Sequence, residues 1–77
     1  MDQDRVRAVV AKTLGVPVQS VTPQFGMSSS QKWDSLGHIR LIMAIEAEFA
    51  VRFRATEIQD LTSVEALVNK LAAMKGS

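Results

Sequence analysis

At 77 residues, 47% hydrophobic and only 5% aromatic, the chain suffices for one domain around a thin aliphatic core, and such a chain buries roughly 60% of its unfolded surface. Ligand pockets commonly run to about 300 Å³ or more, so a deep substrate cavity, and with it an enzyme, is not expected. No cysteine is present and the net charge is +1 from nine basic and eight acidic residues, which excludes disulfides, thiolate metal sites and a cysteine nucleophile and leaves no concentrated basic patch for nucleic acid.

Periodicity predicts four helices and no strand, in one domain over residues 1–77. The first helix runs from Asp2 to Leu14, where Val6, Val9, Val10, Thr13 and Leu14 fall on one face. Asp2 and Asp4 favour the positive end of its dipole. Gly15, with Pro17 beyond, is a stop signal. The start, Met1-Asp2-Gln3-Asp4, has no positive region ahead of an apolar stretch, so no signal peptide is expected and the chain reads as cytoplasmic.

A long loop follows, from Gly15 to Asp34, with Pro17, Pro23, Gly26 and the serines Ser28 to Ser30. Loops of this length tend to be functional or disordered. Val16, Val18, Val21, Phe25 and Met27 offer apolar pins, with a mobile tip expected at Ser28 to Lys32.

The second helix spans Ser35 to about Ala50, capped by Asp34 or Ser35. It contains the longest apolar run, Leu41 to Ile45, far short of the about 20 residues of a membrane span. On a helical wheel with Leu36 at zero, Leu41, Ile42, Ile45 and Phe49 gather between about 140° and 240°, a sufficient core face. Leu36, Ile39 and Met43 gather on nearly the opposite side, between about 300° and 360°. That second stripe is either covered by the loop or the third helix, or it is a docking surface.

A short third helix is expected from Thr56 to Leu61, with Ile58 and Leu61 inward. The fourth begins at Thr62-Ser63-Val64-Glu65, a T-x-x-E capping box, and places Val64, Leu67, Val68 and Leu71 at helical spacing up to Gly76. Residues 76–77 read as a possible tag or disordered tail. The expected core includes Val9, Val10, Ile45, Phe49, Leu67 and Leu71.

The run from Trp33 to Phe49 closely resembles the acyl carrier protein family. Asp34-Ser35-Leu36 is similar to the family's attachment motif and stands, as it does there, at the end of a long loop and the start of the second helix. Leu61-Thr62-Ser63-Val64 matches the family's entry into the last helix, and the resemblance extends over roughly Arg5 to Leu71. It implies an all-α, four-helix acyl-carrier-like bundle of three main helices and a short third one. It also implies that a phosphopantetheinyl transferase attaches 4′-phosphopantetheine to Ser35, with Asp34 helping to hold the transferase's magnesium ion. The arm would then carry acyl groups as thioesters between partner enzymes, the protein itself being a non-catalytic, monomeric carrier. Leu36, Ile39, Arg40 and Met43 correspond to the partner-facing stripe.

The chain departs from the family where fatty-acid carriers are acidic: Arg40 flanks the apolar stripe, and Gly37 and His38 stand at commonly polar or acidic positions. Charge complementarity governs partner choice more than affinity, so a specialised lipid or polyketide pathway is expected rather than housekeeping fatty-acid synthesis. Peptidyl carriers usually show Gly-Gly-x-Ser, which Trp33-Asp34-Ser35 does not fit. Stand-alone aminoacyl carriers of the D-alanyl kind, with Asp-Ser followed closely by Gly, are the alternative.

Other residues read more simply. His38, the sole histidine, lies at about 200° on the core side of the wheel and lacks the companions of a metal site. Trp33 is expected to pack the loop on the bundle. Glu46 and Glu48 point to different faces and read as solvated. From other classes, a small helical nucleic-acid or protein-interaction domain lacks clustered basic residues, and an enzyme with Ser35 as nucleophile has no legible base beyond His38.

Overall fold

The computed structural model describes the backbone of residues 2–76 and the side chains of residues 2–74. Its helices are α1 (Asp2–Leu14), α2 (Ser35–Phe49), α3 (Ala55–Ile58) and α4 (Val64–Gly76), with a 3₁₀ turn at Val18–Ser20. The all-α reading holds, since the only β feature among the described residues is an isolated bridge between Gly26 and Ser63.

Helix α1 packs against both α2 and α4, and this sets which of its residues are inside. Val6, Val10, Ala11 and Leu14 are buried, while Val9 and Thr13 are half-buried. The expected face is therefore rotated toward Ala11. Val9 and Thr13 line an open groove between α1 and α2, floored by Ala44 and Ala47. Gly15 ends α1 with φ +69°, its N–H donating to the Ala11 carbonyl at 2.9 Å. A residue with a Cβ is strained in that left-handed conformation.

Val21 and Phe25 fix the long loop in the core, Val16 and Met27 pack at its edge, and Val18 remains 41% exposed. The loop also supplies backbone partners that α4 needs. The first turn of any helix leaves N–H groups without intrahelical partners. Here the Val64 and Glu65 N–H groups donate to the carbonyls of Phe25 and Pro23, both at 2.9 Å. The Met27 N–H donates to the Thr62 carbonyl at 3.1 Å. A Cβ on Gly26 would lie 2.5 Å from that same carbonyl oxygen, so only glycine permits the approach.

These contacts correct the expected Thr62–Glu65 capping box. Ser63 is the cap, its Oγ accepting from the Ala66 N–H at 3.1 Å. The loop tip is also tied: the Ser29 Oγ accepts from the Gly26 N–H at 3.0 Å, and the Lys32 ammonium reaches the Gly15 carbonyl at 3.2 Å.

At the far end of α2, Ala50 takes the left-handed cap conformation at φ 54°. Phe49 is half-buried, not enclosed, with the Arg5 guanidinium 4.5 Å above its ring. Nor are the two glutamates simply solvated. Glu46 is half-buried and accepts from the Phe53 N–H at 2.8 Å, and Glu48 pairs with Arg5 at 3.0 Å. Phe53 is buried beyond them.

Helix α3 is shorter than expected and starts one residue earlier; Leu61 lies beyond it in a turn yet is buried, and Ile58 is half-buried. Its first turn is closed by Glu57, which accepts from the Arg54 N–H and pairs with Lys70 of α4. The Lys70 hydrogen bond, followed by the Arg54 N–H, holds the Glu57 carboxyl below its ordinary value.

Four outcomes follow for stability. In urea unfolding, Leu67→Ala, at a fully buried site, costs about 2–5 kcal/mol; Phe49→Ala costs less than Ile45→Ala because its ring is half open. Ala50→Gly raises stability by up to about 1 kcal/mol by relieving the left-handed strain. Because the Glu57 carboxyl is lowered in the folded state, its contribution is present above the ordinary glutamate range and is lost as pH falls through the folded value. Glu57→Gln accordingly flattens the acid limb of a stability-versus-pH curve.

Candidate functional site

The start of α2 gathers every residue singled out from the Asp-Ser-Leu motif. Asp34 takes extended backbone angles, φ −94° and ψ −169°, and its Oδ1 accepts from the Gly37 N–H at 2.8 Å. Its carbonyl accepts from the His38 N–H at 2.7 Å. Asp34, not Ser35, is thus the cap, which leaves Ser35 as the first helical residue. Ser35 is exposed, and no hydrogen bond of its hydroxyl is present among the described residues. The nearby serines differ: Ser29 and Ser30 each accept a backbone N–H through Oγ.

Gly37 is a geometric requirement. A Cβ there would lie 2.3 Å from the Lys32 carbonyl oxygen and 3.2 Å from the capping Asp34 oxygen. The loop turns into the helix so tightly that any side chain would force the two apart. The Gly37 position is therefore buried and contributes nothing to surface charge.

His38 is 8% exposed and saturated on both ring nitrogens. Its Nδ1 accepts from the Trp33 indole N–H at 2.9 Å, and its Nε2 meets the Ile58 carbonyl at 2.8 Å. A carbonyl only accepts, so the proton sits on Nε2 and the ring is neutral. Trp33 is 1% exposed and stacks near His38 and Phe25, with centroid distances of 6.1 and 5.9 Å. The expectations of a core-side histidine and a packing tryptophan are both met.

The second apolar stripe of α2 is left bare. Leu36, Ile39 and Met43 are 58%, 57% and 64% exposed, on the face that neither the loop nor α3 covers. Arg40 is exposed beside them, with no ion pair among the described residues. A shallow groove of about 310 Å³ runs from this edge past Lys32, Asp34 and Gly37 to Thr13 and Leu14 of α1.

Sequence reasoning missed the bond between Trp33 and His38, the reason for Gly37, and the loop's role at α4. The first had a signal in the sole tryptophan and sole histidine flanking the motif five residues apart. The other two depend on contacts distant in sequence and had none.

An exposed hydroxyl at a helix start, beside unpaired N–H groups and the positive dipole end, fits a phosphodiester well. No helix is long and apolar enough to cross a membrane among the described residues, and no acid or histidine cluster there suits a metal ion. The sequence profile of the family described as "Phosphopantetheine attachment site" matches residues 4–71. The chain is also 35% identical over 74 residues to an "Acyl carrier protein" of Thermosynechococcus vestitus, an alignment covering 91% of each chain. With four helices and no strand among the described residues beneath these matches, the chain belongs to the phosphopantetheine-attachment family of acyl carrier proteins, non-catalytic carriers whose cofactor is 4′-phosphopantetheine.

Proposed function

We propose that Ser35 bears the phosphopantetheine arm and that the arm serves a specialised acyl pathway. One observation carries the first part: Ser35 is the exposed first residue of α2, beside the cap Asp34 and the bare stripe of Leu36, Ile39 and Met43. A phosphopantetheinyl transferase supplies the arm from coenzyme A. The Ser35 Oγ forms a new bond to phosphorus, the pyrophosphate P–O bond breaks, the adenosine bisphosphate departs and the hydroxyl proton is released. Asp34 keeps one oxygen on the Gly37 N–H and offers the other to the transferase's magnesium ion. Once loaded, the arm's thiol holds cargo as a thioester, and Leu36, Ile39 and Met43 dock loading and processing enzymes with Arg40 at the rim.

The specialised assignment rests on Arg40 alone. Gly37 and His38 are buried and so carry no partner-facing charge, whereas Arg40 stands exposed at the stripe's edge. A partner that presents basic residues to this face meets like charge there. A single exposed charge is worth about 1 kcal/mol or less and acts mainly on association rate.

Intact mass after incubation with coenzyme A and a broad-specificity transferase should show one arm on the wild type and none on Ser35→Ala. Asp34→Asn, which keeps the helix cap, should slow modification without shifting the melting temperature appreciably. Arg40→Glu should speed loading by a housekeeping fatty-acid enzyme at low salt, the gain fading as salt screens charges over about 10 Å at 0.1 M. Met43→Ala should slow loading at every salt concentration. An Arg40→Glu protein that loads no faster at low salt sinks the specialised assignment and leaves the attachment site untouched.

A further inference from the structure

Three hydrogen bonds are nested around Ser35. Two form the ordinary helix cap, Asp34 Oδ1 to the Gly37 N–H and the Asp34 carbonyl to the His38 N–H, at 2.8 and 2.7 Å. The third is made by side chains: the Trp33 indole N–H donates to His38 Nδ1 at 2.9 Å, from two residues before Ser35 to three residues after it. The same imidazole donates from Nε2 to the Ile58 carbonyl of α3 at 2.8 Å. Trp33 is 1% exposed and His38 8% exposed, so they offer almost no surface to a partner, and the bond between them acts on Ser35 through the backbone of residues 34–37.

We propose that Trp33 and His38 are positioning residues for arm attachment, their hydrogen bond fixing the junction of loop and helix so that the Ser35 hydroxyl meets the transferase in one geometry. The proposal rests on Ser35 as the attachment residue. The cap constrains the backbone after Asp34, and the loop ahead of it is held separately, by the Trp33 N–H on the Ser30 carbonyl at 3.2 Å and the Lys32 ammonium on the Gly15 carbonyl. The side-chain bond couples these two held segments directly, joining the residue just ahead of the cap to the second residue past Leu36. An attacking oxygen displaced by about 1 Å costs as much as 10²-fold in rate even when binding is intact. A lost buried hydrogen bond of ordinary strength corresponds to a fall of about five- to tenfold.

The two bonds of the imidazole can be separated, because an asparagine oxygen occupies the place of Nδ1 and a glutamine nitrogen the place of Nε2. His38→Asn keeps an acceptor for Trp33 and loses the bond to Ile58; His38→Gln does the reverse. Trp33→Phe keeps the ring and loses the donor. Arm transfer is measured with KM for the carrier and kcat separated, alongside the melting temperature and the emission of Trp33, the sole tryptophan. The expected result is a fall in kcat of about five- to tenfold for Trp33→Phe and His38→Gln. KM should stay unchanged, because Leu36 and Ile39 are untouched. His38→Asn should retain most of the wild-type kcat and the wild-type emission. Equal kcat for His38→Asn and His38→Gln overturns the proposal, as does a loss that follows melting temperature across all three variants. Exhaustive incubation of each variant followed by intact mass tests the underlying reading separately: a wild type that never gains an arm counts against Ser35 and not against the bond.

Discussion

A buried indole N–H must find an acceptor, and the way this chain meets that demand shapes its functional end. Leaving such a group unpaired costs about 1–3 kcal/mol, a large fraction of a small domain's stability. Trp33 is 1% exposed, and its acceptor is the neutral imidazole of His38. That choice fixes the tautomer, sends the remaining ring proton to the Ile58 carbonyl, and thereby joins the loop, α2 and α3 at one point. The close approach that makes this possible leaves no space for a Cβ at residue 37. Glycine, histidine and tryptophan in this segment are parts of one packing solution, and the exposed serine at its centre is what that solution holds out to solvent.

The rest of the fold supports this end. Helix α1 touches both α2 and α4 and supplies the spine of the core through Val6, Val10 and Leu14. The long loop contributes apolar anchors at Val21 and Phe25 and backbone acceptors for the first turn of α4. Such a loop is ordered because its polar backbone has definite partners. Helix α3, only four residues long, is held from outside itself, by His38 at its end and by Lys70 on Glu57.

Much of this was legible in the sequence. The ends of α1 and α2 were legible from cap and stop residues, and the buried Leu41 and Ile45 from a 3.6-residue period, which is local information; the period also set Leu36, Ile39 and Met43 on a second stripe but left open whether the loop or the third helix covers it. The cap of α4 was misplaced by one residue because the Pro23 carbonyl already satisfies the Glu65 N–H that the Thr62 side chain was expected to serve. Val9 and Phe49 were expected in the core but stand at its edge, since the wheel gives a direction and not the depth of the neighbour it meets. His38 was legible as a core-side residue from the wheel, but it and Gly37 were also counted as departures from the family's acidic pattern, whereas both are buried and carry no surface charge. Only the tertiary approach of Lys32 and Ile58 distinguishes those readings.

The charge pattern that reaches solvent at the stripe thus reduces to Arg40, and the chemistry to one hydroxyl. Digestion after lysine and arginine places Ser35 alone among serines in the peptide Trp33–Arg40, while Ser20 and Ser28 to Ser30 fall in the preceding peptide Thr13–Lys32. Peptide-level mass spectrometry of the transferase-treated protein is therefore the most direct test of where the arm resides. The structure's account predicts the phosphopantetheine mass on Trp33–Arg40 and none elsewhere; finding it on Thr13–Lys32 would contradict that account.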